Sequence, residues 1–289
     1  MIELIIQEDA VAEGPREIAE IMAAAPDEAW RRVPDEQLLL IDTPEGRIAV
    51  ELSSVLGQDH VEQIKLLSRA GYYEGLSFYR VIEGFVAQGG DHTDDHPKGK
   101  ARTSLEAEFE EKLPEGTVFT TLGVRDGYAA EVGFVGGMPA GRDASTGTSW
   151  LAHCTGAFAF GRNNGPDTAS TEFYITLQPQ RYLDRNLTVF GRVLSGMDVV
   201  QAAPRGVIDQ DPETDDFSER LMIDSFRLAA DLPEEERPAY EVMNTESDTF
   251  AELIEARKAR PSAFFIYRPG HVDLCQMTIP TRTVEAEDN

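Results

Sequence analysis

The chain has few cysteines, few basic residues for its size and no long apolar run. Its 289 residues include 26 lysines and arginines against 52 aspartates and glutamates, a formal net charge of −26. Such an excess of negative charge is repelled by nucleic acids and by anionic membranes, so neither is expected as a partner. No apolar run reaches the roughly 18 residues of a spanning helix, which argues against membrane insertion.

Cysteine and histidine are too scarce for a cysteine-rich scaffold or a zinc cluster. Cys154 and Cys275 are the only cysteines, although they could still pair with each other. The stretch "DHTDDH", residues 91–96, groups histidines with carboxylates, but the following Pro97 and Gly99 favour a solvated loop over a metal site. No metal or other cofactor is predicted.

Covalent catalysis has no support in the sequence. There is no Ser/His/Asp order, no phosphate-binding glycine loop and no GxGxxG motif. His153 directly precedes Cys154, but neighbouring residues of a strand point to opposite faces, which argues against a thiol and base pair.

Three segments of the N-terminal part have clear local signals. The stretch "GPREIAEIMAAAPDEAWRRV" predicts one or two short helices. Two apolar runs around Thr43-Pro44-Glu45-Gly46 predict a hairpin. Apolar residues at helical spacing in "QDHVEQIKLLSRAG" predict a helix that ends at Gly71.

The rest of the chain alternates short apolar runs with glycine-rich connections. Runs near 131–137, 156–162, 172–178, 188–193 and 220–232 predict strands, and so few helices favour an antiparallel barrel or sandwich. Residues 99–150 are otherwise hard to assign and suggest a long loop.

The C-terminal part opens with the acidic, linker-like "DLPEEERP". It continues with a predicted helix that Ser247 can cap, and then with a hairpin-like pair around Pro269-Gly270.

An arginine in an apolar stretch is the most informative feature. In "LSFYRVIEGFVAQGGD", strict alternation along a strand would place Arg80 on the same face as Phe78 and Ile82. A lone arginine there either extends past the edge of the core, pairs with a buried carboxylate, or serves a site. The segment 161–193 adds aromatic side chains near amide donors, as a shallow site for a short apolar peptide would need.

These two stretches together resemble the cyclophilin family of peptidyl-prolyl cis-trans isomerases. "FYRVIEGFVAQGGD" is similar to the family's central signature, "NGPDTASTEFYITL" and "YLDRNLTVFGRVLSGMDVV" to its second half, and "LEAEF" to a further motif. The resemblance covers residues 38–228. It implies a mainly β fold, an eight-stranded closed antiparallel barrel capped by two helices, with an external groove for X-Pro segments.

The whole chain also resembles a longer bacterial subgroup, usually exported, with an inserted loop and a C-terminal extension. This implies a helical lead-in at 1–33, an isomerase domain at 34–230 with an insertion at about 110–150, and a small α/β appendage at 231–289. It also implies the bacterial periplasm. The opening "MIELIIQEDAVAEG" has no secretory signal, so the cytoplasm is expected if Met1 is the native start. In an exported chain Cys154 and Cys275 could form a disulfide; the alternative is two buried thiols.

The resemblance assigns roles to individual residues. Arg80 matches the catalytic arginine, and Phe85 and Val86 match the floor of the proline pocket, where Val86 replaces a usual methionine. Gln88 matches the peptide-binding glutamine. Asn163 matches the asparagine whose backbone holds the substrate.

The remaining positions form the walls and rim of the groove. Tyr174 and Leu183 match apolar walls, and Tyr182 stands where many relatives have tryptophan or phenylalanine. Arg162 and Leu187 replace a usual alanine and a usual histidine at substrate-binding positions.

The implied function is peptidyl-prolyl isomerisation of polypeptide clients, which assists their folding. The X-Pro barrier of about 18–20 kcal/mol falls if a fixed guanidinium, that of Arg80, donates to the proline nitrogen as amide resonance is lost. The alternative is a catalytically weak or inactive cyclophilin-like chaperone or scaffold that binds proline-containing segments, which Arg162 and Leu187 favour as departures from the family pattern. Glu172, in place of a usual glutamine, is a further departure that bears on efficiency and peptide preference.

Overall fold

Most of the chain is β-structure, arranged in three antiparallel sheets. The computed structural model describes residues 15–93, 95–206 and 219–284, and these include four α-helices. The segment 1–14, on which the expectation about a secretory signal rests, and Asp94 of the histidine-containing loop lie outside the described residues. The helices are α1 (Ile18–Ala23), α2 (Gln58–Arg69), α3 (Met197–Ala202) and α4 (Asp248–Ala259).

The strands are short and follow one another with few helices between them. In chain order they are β1 (Trp30–Arg32), β2 (Leu38–Thr43), β3 (Gly46–Leu52), β4 (Ser77–Val81), β5 (Val86–Gly90), β6 (Glu111–Lys112), β7 (Thr120–Thr121), β8 (Glu131–Val135), β9 (Met138–Asp143), β10 (Thr148–Leu151), β11 (Ala157–Phe160), β12 (Phe173–Thr176), β13 (Val189–Ser195), β14 (Leu221–Met222), β15 (Ser225–Leu228), β16 (Ala239–Met243) and β17 (Thr281–Val284).

The largest sheet has nine strands in the order β14-β4-β5-β12-β11-β13-β3-β2-β15. It curls around a core rich in aromatic side chains, which include Phe158, Phe173, Phe190 and Phe226. Eight strands in a closed barrel were expected. Among the described residues the two edge strands, β14 and β15, form no ladder with each other; only two residues separate them in the chain, and each pairs with a different edge.

The local predictions for this sheet are confirmed. β2 and β3 form the hairpin, with Thr43 paired to Gly46. Helix α2 packs against β13 and β15 and buries Ile64 and Leu67 in the aromatic core. It ends before Gly71, whose φ of +65° lies in the left-handed region that glycine adopts without strain. The second helix, α3, lies against β3.

The insertion is a second sheet, not the long loop that its glycine content suggested. Its five strands lie in the order β6-β10-β9-β8-β7. The glycines have a packing role, because a Cβ atom on Gly141 would lie 2.5 Å from the indole ring of Trp150 on the neighbouring strand. Apolar patterning was weak here because small residues occupy the positions where the sheet is crowded.

The lead-in and the C-terminal extension form a third sheet together, in the order β1-β16-β17. The lead-in, predicted as helical, therefore also contains a strand. Helix α4 begins after Ser247, whose hydroxyl accepts a hydrogen bond from the Phe250 amide, as predicted. The predicted hairpin around Pro269-Gly270 is wrong: β17 begins at Thr281 and pairs with β16.

A second apolar core joins this third sheet to the outer face of the curled sheet. Leu38, Leu40 and Ala49 of β2 and β3 pack there with Phe250 of α4 and with residues of the insertion. A buried ion group crosses the same boundary, since Glu51 of β3 pairs with Arg31 of β1 at 2.5 Å and with Arg192 of β13 at 3.2 Å. The chain beyond the curled sheet is thus packed against it.

Cys154 and Cys275 form a disulfide, which decides between the two alternatives that the sequence left open. The bond connects the segment after β10 with the C-terminal extension, 121 residues further along the chain. In the described part of the chain no helix is long and apolar enough to cross a membrane. The same residues contain no group of three or more potential metal ligands.

We expect the disulfide to stabilise the fold strongly, because it closes a long loop in the unfolded chain. Cys275→Ser should lower the free energy of unfolding by up to roughly 5 kcal/mol in the chain-entropy account. Denaturant unfolding of the unreduced wild type and the variant measures the difference. Thiol titration of the denatured, unreduced wild type should find no free thiol, and two titratable thiols would contradict the assignment.

Candidate functional site

A bulge in β4 determines where the arginine points. The ladder between β4 and β5 pairs Phe78 with Gly89 and Arg80 with Gln88, so Tyr79 is an extra residue. A bulge resets the alternation of side chains. Phe78 therefore faces the aromatic core, whereas Arg80 lies outside it, and the prediction that the two share a face is wrong.

The Arg80 guanidinium lies between a hydrogen-bond partner and an aromatic ring. Its Nη1 donates to Oε1 of Gln88 at 3.1 Å, and its Cζ is 5.7 Å from the ring centre of Phe85. The turn after β4 makes this possible, because the Phe85 amide donates to the Ile82 carbonyl and folds the chain back within four residues. The half-buried charge is thus held in one place at the edge of an apolar surface.

The Gln88 side-chain amide is oriented by a hydrogen bond from its nitrogen, on the side opposite Arg80. Its Nε2 donates to the Tyr79 hydroxyl at 2.6 Å, and that hydroxyl donates to Oε2 of Glu172. Burial, followed by the negative charge of Glu172, raises the pKa of Tyr79 far above its usual value, so the hydroxyl keeps its proton. The amide oxygen of Gln88 therefore faces Arg80, and the arginine is positioned indirectly by Tyr79.

Four predicted groove residues lie together beside Arg80. Val86 and Tyr174 are buried members of one apolar cluster, and Phe85 and Leu187 pack against it half-buried. The strand ladder explains this proximity, because β12 places Tyr174 opposite Gln88 and Thr176 opposite Val86. The fold thus brings four apolar side chains and one charge to one surface of the sheet.

The insertion belongs to the same apolar cluster. Val135 of β8 and Met138 of β9 are buried in it, and Phe119 packs at its edge. The predicted groove residues thus share their apolar contacts with the insertion, which the motifs of the curled sheet did not indicate.

Arg162 and Asn163 lie on the polar side of the site. Arg162 donates from Nη1 to the carbonyl of Asn163 at 2.8 Å and from Nε to the carbonyl of Asn186 at 2.9 Å. The Asn163 amide donates to Thr168 Oγ1 at 3.0 Å. Both backbone groups of Asn163 therefore have partners within the chain. A polar cavity of about 400 Å³ separates these residues from Gln88.

Tyr182 and Leu183 lie on a short 3-10 turn, Arg181–Leu183. The Tyr182 ring is 58% exposed, whereas Leu183 is half-buried. Neither side chain is part of the apolar cluster that contains Val86 and Tyr174. The turn thus presents one exposed aromatic ring to solvent.

The sequence motifs did not predict a buried polar network that contacts the Tyr174 hydroxyl. The Tyr174 hydroxyl lies 2.9 Å from Nε2 of His153, whose Nδ1 lies 3.0 Å from Oδ1 of Asp184. Arg181 donates from Nε to Oδ2 of Asp184 at 2.6 Å and from its other nitrogens to Asp126 of the insertion. Burial alone would raise the pKa of Asp184, but the hydrogen bonds from His153 and the charge of Arg181 hold it below its usual value.

The sequence contained only a faint signal for this network. His153 was noted for its position next to Cys154, but that cysteine is bonded to Cys275, and the imidazole instead supports Tyr174. Tyr79 had no signal of its own, because nothing in the apolar pattern indicated the bulge.

The curled antiparallel sheet defines a β-protein that carries an apolar cluster on its surface, next to a guanidinium held in place by Gln88. The chain belongs to the family of cyclophilin-type peptidyl-prolyl cis-trans isomerases, whose family model, "Cyclophilin type peptidyl-prolyl cis-trans isomerase/CLD", matches residues 38–226.

The chain is also similar to individual proteins of this family, in sequence and in structure. The human "Peptidyl-prolyl cis-trans isomerase-like 1" is 30% identical over 199 residues, 68% of this chain and 94% of the relative. The human "Peptidylprolyl isomerase domain and WD repeat-containing protein 1" is 31% identical over 196 residues, 68% of this chain but 24% of that protein. The crystal structure of cyclophilin AquaCyp293 from Hirschia baltica matches 94% of this chain and 99% of its own with a TM-score of 0.73 and 26% identity. Its match extends over the added segments as well as the curled sheet.

The depressed pKa of Asp184 predicts a pH-dependent contribution to stability. The contribution is complete above the pKa of an unfolded aspartate, about 3.9, and is lost as the pH falls through the lower pKa of the folded protein. Asp184→Asn should therefore destabilise the protein most near neutral pH and progressively less in acid. Urea unfolding of wild type and variant from about pH 7 to about pH 3 measures this. A constant difference across the range would contradict it.

Proposed function

We propose that the chain is a peptidyl-prolyl cis-trans isomerase that acts on X-Pro bonds of polypeptides and assists their folding. The observation that carries the proposal is the position of Arg80. Its guanidinium is held by Gln88 and lies over the Phe85 ring, next to the apolar surface of Val86 and Tyr174. An X-Pro segment with its ring on this surface has its imide nitrogen within reach of a fixed cation.

The reaction needs no covalent step. As the X-Pro bond twists, amide resonance is lost and the proline nitrogen gains a lone pair that a planar amide lacks. A guanidinium that donates to this lone pair binds the twisted state better than either planar isomer, which lowers the barrier. An acceleration of about 10⁵ corresponds to roughly 7 kcal/mol, within reach of such electrostatic stabilisation in a partly desolvated site. Arginine suits the task because it stays charged at any physiological pH.

The other groove residues would bind the substrate. Gln88 offers hydrogen bonds to the peptide backbone, Leu183 and Leu187 extend the apolar walls, and Tyr182 flanks the exposed rim. The backbone of Asn163 can hold the peptide only if its carbonyl accepts a second hydrogen bond or releases Arg162.

The proposal also covers the roles of the three segments of the chain and the cellular compartment of the protein. We assign isomerisation to residues 34–230, including the insertion at about 110–150, and a supporting role to 1–33 and 231–289. The Cys154–Cys275 disulfide supports an oxidising compartment such as the bacterial periplasm, because disulfides persist there and are rare in the cytosol.

A second candidate function is binding of proline-containing segments without efficient catalysis. Two observations favour it. Arg162 already occupies the carbonyl of Asn163, and the insertion shares the apolar cluster of Val86 and Tyr174, so the groove has less free surface for a peptide. Such a protein would act as a chaperone or scaffold.

The role of Arg80 can be tested by substitution. Arg80→Ala should lower kcat/KM for a short X-Pro peptide by at least about tenfold while leaving the fold intact, because the charge acts mainly on the twisted state. Exchange spectroscopy by NMR measures both isomers directly. Arg227→Ala, which removes a surface arginine paired with Glu74, is the matched control. An inactive wild type that still binds the peptide would support the second candidate, and an unchanged rate in a folded Arg80→Ala protein would remove Arg80 from the mechanism.

The rim residue Tyr182 predicts a weak response to cyclosporin. A tyrosine lacks the indole N–H that tryptophan provides at the matching position, and a lost hydrogen bond costs about 1–3 kcal/mol. Short X-Pro peptides should be less affected, since the proline ring sits on apolar surface. Calorimetric titration should show weak binding by the native chain and a gain for Tyr182→Trp. Nanomolar affinity of the native chain, or no gain in the variant, would contradict the placement of Tyr182 in the groove.

A further inference from the structure

The charged side chain of Asp126, in the insertion, contacts the turn Arg181–Leu183. This residue lies in the connection between β7 and β8, where its Oδ1 accepts from the amides of Tyr128 at 2.8 Å and Ala129 at 3.0 Å. These two bonds close a local turn and hold the carboxylate in one orientation. The carboxylate of Asp126 therefore approaches its partner in a fixed geometry.

That partner is Arg181, which is 6% exposed. Its Nη1 and Nη2 donate to the two carboxylate oxygens of Asp126 at 3.0 and 3.1 Å, and the ring centre of Tyr128 lies 5.3 Å from its Cζ. Its Nε donates to Asp184 at 2.6 Å. One guanidinium thus joins a carboxylate of the insertion to a carboxylate of the curled sheet, in the two-pronged geometry that arginine favours.

Arg181 also begins the turn that carries Tyr182 and Leu183, two residues proposed to bind the peptide. On its other side, Asp184 accepts from Nδ1 of His153. Because a carboxylate only accepts, Nδ1 carries a proton, while Nε2 lies 2.9 Å from the Tyr174 hydroxyl and shares a hydrogen bond with it. The same chain of contacts therefore reaches both the rim and the wall of the groove.

We propose that Asp126 is a positioning residue for the groove: through Arg181 it fixes the turn of Tyr182 and Leu183, and through Asp184 and His153 it fixes the ring of Tyr174. The inference rests on the proposed function, since it concerns how the same site holds its substrate. It gives the insertion a task in peptide binding. Asp126 itself is not part of the apolar cluster that contains Val86 and Tyr174.

Loss of this contact should change binding more than chemistry. The rim and wall contact the planar and the twisted peptide alike, so misplacing them raises KM and leaves kcat nearly unchanged. Removal of Arg80 should have the opposite pattern, because its donation strengthens only as the bond twists. Comparing the change in KM with the change in kcat for each variant therefore distinguishes a positioning residue from a catalytic one.

The test uses Asp126→Asn in the full-length oxidised protein, because asparagine can still accept from the Tyr128 and Ala129 amides but loses the charge that binds Arg181. The matched control is Glu131→Gln, which removes another carboxylate of the insertion, one paired with Arg142 on the neighbouring strand. Tyr128→Ala, at a 55% exposed position, is a milder second variant in case Asp126→Asn fails to fold.

Two readouts are measured. Isomerase kinetics on a short X-Pro peptide should show KM raised by about three- to tenfold in Asp126→Asn, with kcat within about twofold of wild type, and a smaller rise in Tyr128→Ala. Proton NMR should show broadening or a shift of the His153 Nδ1–H signal in both variants. The Nδ1–H of His60, buried against Glu108 at 2.5 Å, provides an internal reference that should not change.

The outcomes distinguish this inference from the proposed function. An inactive wild type would refute the isomerase proposal, yet the His153 signal would still report whether Asp126 fixes the network behind Tyr174. An unchanged His153 signal and an unchanged KM in Asp126→Asn would overturn the inference. A similar rise in KM for Glu131→Gln would also overturn it, because the effect would then belong to the insertion in general.

Discussion

Burial of β2 and β3 on both faces of the curled sheet is the constraint on which the other features depend. Leu39 and Ile41 of β2 point into the aromatic core, while Leu38 and Leu40 point outwards into the second core. A strand that is apolar on both faces needs cover on both, because an uncovered outer face would be an exposed apolar patch. The lead-in, the insertion and the extension provide the cover, and the Arg31–Glu51–Arg192 ion group and the disulfide fasten it.

The motifs of the sequence identified the candidate site but not its geometry. Arg80, Phe85, Val86 and Gln88 lie close together because a tight turn joins β4 and β5. The apolar pattern indicated strand structure here but not the turn. The side on which Arg80 lies depends on the bulge at Tyr79. A bulge is set by how the two strands register against each other, and one strand's sequence carries little information about that.

The added segments were hardest to predict, for two physical reasons. In the insertion, glycines such as Gly141 make room for bulky neighbours, and this removes the alternation that marks a strand. In the third sheet, β1 pairs with β16, so that Trp30 lies opposite Met243. These residues are far apart in the sequence, and a local pattern contains no information about such a pairing. The unbroken run Leu38-Leu39-Leu40-Ile41 is typical of a strand buried on both sides, although only a hairpin was predicted from it.

The pairing of β1 with β16 also sets an order of events during synthesis. The curled sheet up to Leu228 leaves the ribosome before β16 and β17 do, and translation proceeds at roughly 5–20 residues per second. For several seconds a nascent chain can close its aromatic core while Leu40 and its outward-facing neighbours still lack their full cover. The outer face of the β2–β3 hairpin is then a transiently exposed apolar surface that can bind other apolar chains. The strands that cover it are among the last to leave the ribosome.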